Sequence, residues 1–303
     1  MKIRHLVESQ QLDVETIFAL FKKADELRVS TEKSLEGKIL ATLFYEPSTR
    51  TRLSFESAML KLGGNVIGTE NAKEFSSAAK GESLQDSIRT VASYADIIVQ
   101  RHFEKGSAQI AASVSSVPVI NAGDGAGQHP TQALLDLYTI WREIGSLDNI
   151  TVVMVGDLKY GRTVRSLCYL LGKFQDIKII FIAPEFLSVK NDLKDYLKKH
   201  SILFEEQADL NKYLPQADIV YMTRIQKERM SDTEYENAKE AYTITEDNLS
   251  LLKDKSRLLH PLPHVEEIKL SVKTEQTDNR VAYFRQVENG LYVRMALLSY
   301  LLE

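Results

Sequence analysis

Cysteine is nearly missing: Cys168 stands alone among 303 residues, which excludes an internal disulfide and any metal site built from several thiolates. Long apolar runs are absent too. The start, Met1-Lys2-Ile3-Arg4-His5, continues with charges and leaves no stretch for a signal peptide or a membrane span, so a cytoplasmic protein is expected. Neither sign of charge dominates. With 38 basic against 42 acidic residues the formal net charge is −4, which gives no general attraction to nucleic acid or to an anionic membrane, and any cationic site must be local. No low-complexity tract, short-period repeat or Gly/Ser linker interrupts the chain. The loop from Gly156 to Gly161 lacks both G-x-G-x-x-G and a P-loop ending, so it gives little support for nucleotide binding. His5, His102, His200, His260 and His264 lack the spacing of a metal site, and the motifs call for no metal and no cofactor.

What is present is an ordinary globular balance, 44% hydrophobic and 26% charged, over a length that suits two domains. Short apolar runs alternate with helix-period segments: Ile39 to Phe44, then a helix with Phe55, Met59 and Leu62 on one face, then Leu84, Ile88 and Val91, then Ile97 to Val99, then Val117 to Ile120. A long helical segment from about Thr131 to Glu143 follows, and the alternation starts afresh at Ile150 to Val155. Further runs at Ile177 to Ile182, Ile219 to Met222 and Leu258-Leu259 predict a second parallel sheet, and Leu291 to Leu302 a closing helix. The fold class predicted is α/β, two domains each with a parallel sheet flanked by helices. The junction falls near residues 135 to 148, inside a helix, with a first domain over 1–135 joined by the C-terminal helix 288–303 and a second over 136–287.

In open α/β sheets ligands bind beyond the carboxyl ends of the strands, and here cations follow run after run. Ser48-Thr49-Arg50-Thr51-Arg52 follows the run Ile39 to Phe44, Gln100-Arg101-His102 the run Ile97 to Val99, and a glycine loop ending in Gln128-His129-Pro130-Thr131-Gln132 the run Val117 to Ile120. Arg162, Arg224 and His260-Pro261-Leu262-Pro263 hold corresponding places in the second half, so both sheets are expected to direct cations at one crevice. Hydroxyl residues opening a helix cap some of its N–H groups and leave others for an anion, and the Arg50 guanidinium can add paired, charge-assisted bonds to a phosphate. The plainer reading of that segment is a capped helix with surface arginines. His129, before Pro130, suits the N-cap of its helix; nearby cations would keep it neutral and able to donate to a carbonyl oxygen, though alone it could be a structural cap. Lys227, Glu228 and Arg229 fit a solvated face, Cys168 fits a packed helix, and the polar segment from Asn71 to Glu82 fits a loop.

Together these motifs carry a resemblance to the catalytic subunits of aspartate carbamoyltransferases, along essentially the whole chain. Phe44 to Arg52 and Asn121 to Gln132 resemble the two carbamoyl phosphate signatures that aspartate and ornithine enzymes share. His260-Pro261-Leu262-Pro263 stands where ornithine enzymes have His-Cys-Leu-Pro, and Thr223 to Arg229 resembles the aspartate-binding loop. The resemblance implies transfer of a carbamoyl group from carbamoyl phosphate to aspartate without a covalent intermediate. Ser48, Thr49, Arg50 and Thr51 would hold the phosphate, Arg101 and His129 the phosphate and carbonyl oxygens, and Gln132 the carbamoyl amide. Leu262 would present its backbone carbonyl, and Leu262-Pro263 would be a cis bond. Arg162, Arg224 and Gln226 would hold the aspartate carboxylates, while Ser76 and Lys80 would come from the neighbouring subunit of a homotrimer, Lys80 toward aspartate. Some family members pair with a separate zinc-containing regulatory chain, a partnership the resemblance leaves open; this chain lacks the four cysteines to carry that zinc itself. His264 departs from the arginine common after Leu-Pro, a change that bears on contacts around that turn. The rival readings are transfer to another amino acceptor such as ornithine, and a non-catalytic paralogue.

Overall fold

The computed structural model of the chain describes residues 3–72, 80–225, 231–233, 235–236 and 242–303. Two compact units emerge, one of residues 1–135 with 288–303 and the other of residues 136–287.

In the first unit, helix α1 (Val14–Val29) starts where the Asp13 carboxylate accepts the Thr16 N–H, and it buries Ile17, Leu20, Phe21, Ala24 and Leu27 at helical spacing. Strand β1 (Ile39–Phe44) buries every residue but its first. After it come helix α2 (Thr49–Lys61), strand β2 (Asn65–Glu70), helix α3 (Leu84–Val91), strand β3 (Ile97–His102), helix α4 (Ser107–Val114) and strand β4 (Val119–Asp124). The four strands are parallel in the order β2-β1-β3-β4. The chain therefore builds outward in one direction after β1 and in the other after β3, which makes the β1/β3 carboxyl edge the topological switch point.

Helix α5 (Pro130–Ile144) carries the chain across the boundary after Leu135. The second unit repeats the plan with β5 (Thr151–Val155), α6 (Arg162–Leu171), β6 (Lys178–Ile182), α7 (Asn191–Lys199), β7 (Leu203–Gln207), β8 (Ile219–Met222) and β9 (Arg257–Leu259). Its sheet is also parallel, in the order β9-β8-β5-β6-β7, and its switch point lies between β5 and β8. Val153, Val155, Ile180, Ile182, Val220, Met222 and Leu258 are among the residues of its core. Helix α8 (Tyr283–Leu302) returns the chain to the first unit, so it begins eight residues before the closing helix expected from sequence. In these two sheets β2 and β7 were not expected from the apolar pattern, and both lie at sheet edges; a short parallel pair, Ile244–Thr245 with Ile268–Lys269, was not expected either.

Candidate active site

At the switch point of the first sheet, α2 begins with Ser48 as its N-cap, yet the Ser48 hydroxyl makes no capping bond. This corrects the expectation that hydroxyls would cap the helix: the first-turn N–H groups, which have no acceptor within a helix, are left to an outside acceptor. Thr51 is buried, whereas Thr49 and Arg50 are exposed. The two arginines of this turn behave differently. Arg52 is neutralised, its guanidinium 2.9 Å from Glu70 at the end of β2 and 3.6 Å from Glu56. Arg50 has its pKa lowered by partial desolvation, and among the described residues no carboxylate offsets this. A cation withdrawn from water without a counter-charge is stabilised by an anion.

Arg101 lies at the end of β3, paired in register with Phe44 of β1, and its carbonyl accepts the Tyr45 N–H at 2.9 Å, so the β1 loop and Arg101 are held side by side. Its Nε is 3.5 Å from Glu46. His102, beside it, is structural: its Nδ1 accepts the Glu104 N–H at 3.0 Å, its ring packs on Tyr45 and Phe103, and burial lowers its pKa.

The loop after β4 is stitched by one buried carboxylate. Asp124 accepts the Gly106 N–H at 2.8 Å, the Gln128 N–H at 2.7 Å and the Asn121 amide at 3.2 Å. Gly125 sits at φ +49, where a Cβ would lie 2.3 Å from the Phe103 carbonyl, so only glycine lets the β3 and β4 loops close on each other. This frame delivers His129 to the start of α5, where its carbonyl accepts the Gln132 and Ala133 N–H groups at 3.0 and 3.1 Å, as an N-cap residue does. Its ring is buried with Nδ1 3.4 Å from the Thr131 hydroxyl. Gln132 is buried one turn on. Thus Ser48 to Thr51, Arg101, His129 and Gln132 all belong to the carboxyl edge of one sheet or to the helices that leave it.

The second unit carries Arg162, Arg224, Leu262 and Pro263 at the carboxyl edge of its own sheet, whereas Lys80 belongs to the first unit. Gly156, at φ +114, is so close to the loop after β8 that a Cβ would meet the Thr223 carbonyl at 2.3 Å. Thr223 is fixed by hydrogen bonds from its N–H and hydroxyl to the Val155 carbonyl, at 2.8 and 2.9 Å. Arg162 opens α6 behind the first loop, and Arg224 follows Thr223; both side chains are half-buried. Beyond β9 comes the turn from His260 to Pro263, with a cis Leu262-Pro263 bond and Leu262 at φ +56, a conformation a leucine rarely adopts. Lys80 is exposed. Gln226 and Ser76, both named from sequence, lie outside the described residues.

Polar residues that sequence reading set aside prove to support this turn. His260 is buried, its Nδ1 accepting the Leu262 N–H at 2.8 Å and its Nε2 3.0 Å from Glu267. Asp136, fully buried, accepts the Tyr221 hydroxyl at 2.7 Å and the Gln286 amide at 2.6 Å, and Gln286 in turn accepts the His260 N–H at 2.9 Å. His264 packs on Tyr283 and lies 3.3 Å from Glu275. Cys168 is fully buried, its thiol pKa pushed up by burial, and it packs against Met154. Among the described residues no three histidine, cysteine or acidic side chains could hold a metal ion, and no helix is long and apolar enough to cross a membrane.

Comparison with known proteins decides what such a pair of sheet edges belongs to. Residues 4–142 match the family described as "Aspartate/ornithine carbamoyltransferase, carbamoyl-P binding domain", and residues 148–301 match its "Asp/Orn binding domain". The chain belongs to the aspartate/ornithine carbamoyltransferase family. Within it, the chain is 54% identical to the chloroplastic aspartate carbamoyltransferase of Arabidopsis thaliana, over 99% of this chain and 78% of that one. Its fold is that of the catalytic subunit of M. jannaschii aspartate transcarbamoylase, with a TM-score of 0.91 at 46% identity, covering 99% of this chain and 98% of that one. Aspartate transcarbamoylase from Trypanosoma cruzi, solved with carbamoyl aspartate and phosphate, superposes with a TM-score of 0.92 at 38% identity, covering 99% and 96%. The two-domain α/β architecture of parallel sheets flanked by helices is therefore the carbamoyltransferase one.

Proposed function

We propose that this enzyme transfers the carbamoyl group of carbamoyl phosphate to the amino group of L-aspartate, giving N-carbamoyl-L-aspartate and phosphate in de novo pyrimidine biosynthesis. Family membership over both domains, with 54% identity to an aspartate enzyme, carries this reading. The turn after β9 supports aspartate over ornithine: Pro261 stands where ornithine enzymes have cysteine, and the chain's one thiol is buried in α6.

In this proposal Ser48, Thr49, Arg50 and Thr51 bind the phosphate, and Gln132 and the Leu262 and Pro263 turn bind the carbamoyl group. Arg162, Arg224, Gln226 and Lys80 bind aspartate, with Leu262 contributing to that site as well. The neutral amine attacks the carbamoyl carbon, a C–N bond forms, and Thr51, Arg101 and His129 donate to the developing oxyanion. Loss of one such donor typically raises the barrier by about 3 kcal/mol. The carbon–oxygen bond to phosphate then breaks, and the leaving phosphate takes the amine proton. No nucleophile in these motifs suits a covalent intermediate, so orientation of the two substrates supplies much of the rate.

The proposal includes a homotrimer whose sites are shared, with Ser76 and Lys80 donated by a neighbour; the support is the family resemblance and the exposure of Lys80. It places the reaction in the cytoplasm, in keeping with a single buried cysteine, and admits a separate zinc-containing regulatory chain as partner. Side-by-side assays with aspartate and ornithine test the central claim. Carbamoyl aspartate is the expected product; citrulline formation in preference, or no turnover with either acceptor, would overturn it.

A further inference from the structure

The strand-end turn that carries Leu262 is held by a buried pair of side chains, and its geometry has a consequence for the reaction. Leu262 lies in the left-handed region, which is strained for a non-glycine residue and persists only where the surroundings impose it. Two groups impose it. The His260 ring accepts the Leu262 N–H through Nδ1 at 2.8 Å. An imidazole that accepts at Nδ1 must carry its proton at Nε2, and that atom lies 3.0 Å from Glu267 Oε1. The same Glu267 oxygen accepts the Val265 N–H at 3.1 Å. The imidazole therefore grips one side of the cis bond and the carboxylate the other. Both side chains are at most 4% exposed, so solvent does not compete. Burial pushes the Glu267 carboxyl up, but the hydrogen bond from His260 and those from backbone N–H groups more than offset this and hold it below the usual carboxylate range. At its root His260 is tied again, its own N–H donating to Gln286, which is anchored on Asp136.

We propose that His260, oriented by Glu267, is a positioning residue: it clamps the backbone at Leu262 so that the Leu262 carbonyl faces the reacting group. This rests on the proposed carbamoyl transfer and adds to it a residue that touches neither substrate. Because His260 acts through a carbonyl that orients the reacting group and touches neither substrate itself, its loss should appear in kcat more than in KM.

The test compares side chains that keep different halves of the ring's bonding. His260→Asn retains an acceptor at the Nδ1 position for the Leu262 N–H; His260→Gln reaches toward Glu267 but offers nothing to Leu262; His260→Leu offers neither. With the full-length protein, kcat and KM for both substrates and the thermal midpoint are measured for each variant. The expectation is that His260→Asn keeps at least a third of wild-type kcat, while His260→Gln and His260→Leu fall at least tenfold with KM changed less than threefold. Equal activity of Asn and Gln variants would overturn the proposal, as would losses confined to KM or losses that follow the thermal midpoint across the series. Should His260→Leu fail to fold, the Asn and Gln pair still decides. Wild-type protein run in parallel separates the two claims: no carbamoyl aspartate from wild type defeats the transfer reaction and the clamp together, whereas an active wild type with the wrong variant order defeats the clamp alone.

Discussion

Replacing Gly156 with alanine should damage the second sheet edge in a way that can be worked out from the backbone. At φ +114 this residue lies outside the region tolerated by side chains, a penalty of roughly 1–3 kcal/mol. The added methyl would also sit 2.3 Å from the Thr223 carbonyl, far inside the contact distance of about 3.5 Å. Thr223 cannot yield cheaply, because its N–H and hydroxyl are both bonded to Val155. The combined loss is expected at about 2–4 kcal/mol, or a fall of roughly 5–10 °C in Tm. Since the displaced strand end leads directly into Arg224, and the Gly156 loop into Arg162, the KM for aspartate should rise at least tenfold while that for carbamoyl phosphate moves little. Differential scanning fluorimetry and initial-rate kinetics give both numbers. A variant melting within 2 °C of wild type with an unchanged aspartate KM would show that the two loops are not constrained as described.

Other perturbations address the first sheet edge, the subunit arrangement and the acid limit of stability. Arg50→Ala removes a cation that has no carboxylate partner among the described residues, so circular dichroism should be unchanged while kcat/KM falls about 10²- to 10³-fold, the loss expected of paired charge-assisted bonds worth roughly 3–4 kcal/mol; near-wild-type turnover would remove Arg50 from the site. Mixing inactive Arg50→Ala and inactive Lys80→Ala proteins under subunit exchange should restore part of the activity, and silence in demonstrably mixed oligomers would argue for self-contained sites. Burial raises the Glu143 carboxyl pKa, but hydrogen bonds from Arg285 and Arg257 outweigh it and leave the pKa below its usual value of 4.5. Its folded pKa being the lower, the stability it contributes is complete above that value and is lost as pH falls through the folded one. Urea midpoints should therefore drop less between pH 5 and pH 3 in Glu143→Gln than in wild type, and an identical drop would count against the assignment.

The central strands were legible because they are buried on both faces and read as unbroken apolar runs, as at β1, β5, β6 and β8. The edge strands were not. Asn65–Glu70 has no fully buried residue, and Leu203–Gln207 includes Glu205 and Glu206, each paired with a lysine, so neither carries an apolar signature. Strand-end cations could be picked out by position alone, since a parallel sheet sends every carboxyl end to the same edge. What each cation is paired with could not: nothing in Arg50-Thr51-Arg52 distinguishes the arginine held by Glu70 from the one without a carboxylate among the described residues. His260 went unrecognised as a working part for a related reason. Its meaning lies in a turn that brings Leu262, Glu267 and Gln286 around one ring, and no local spacing announces that.

The discontinuous make-up of the first unit sets the timetable by which the protein can mature. Residues 1–135 are made before the second unit, but Val293, Ala296, Leu297 and Leu298, which α8 buries, are made after it. The half begun earliest is finished latest, after the contiguous half has had its whole length available to fold. A nascent chain stalled before residue 288 should thus protect its middle from protease while leaving its beginning open to attack, an order opposite to that of synthesis.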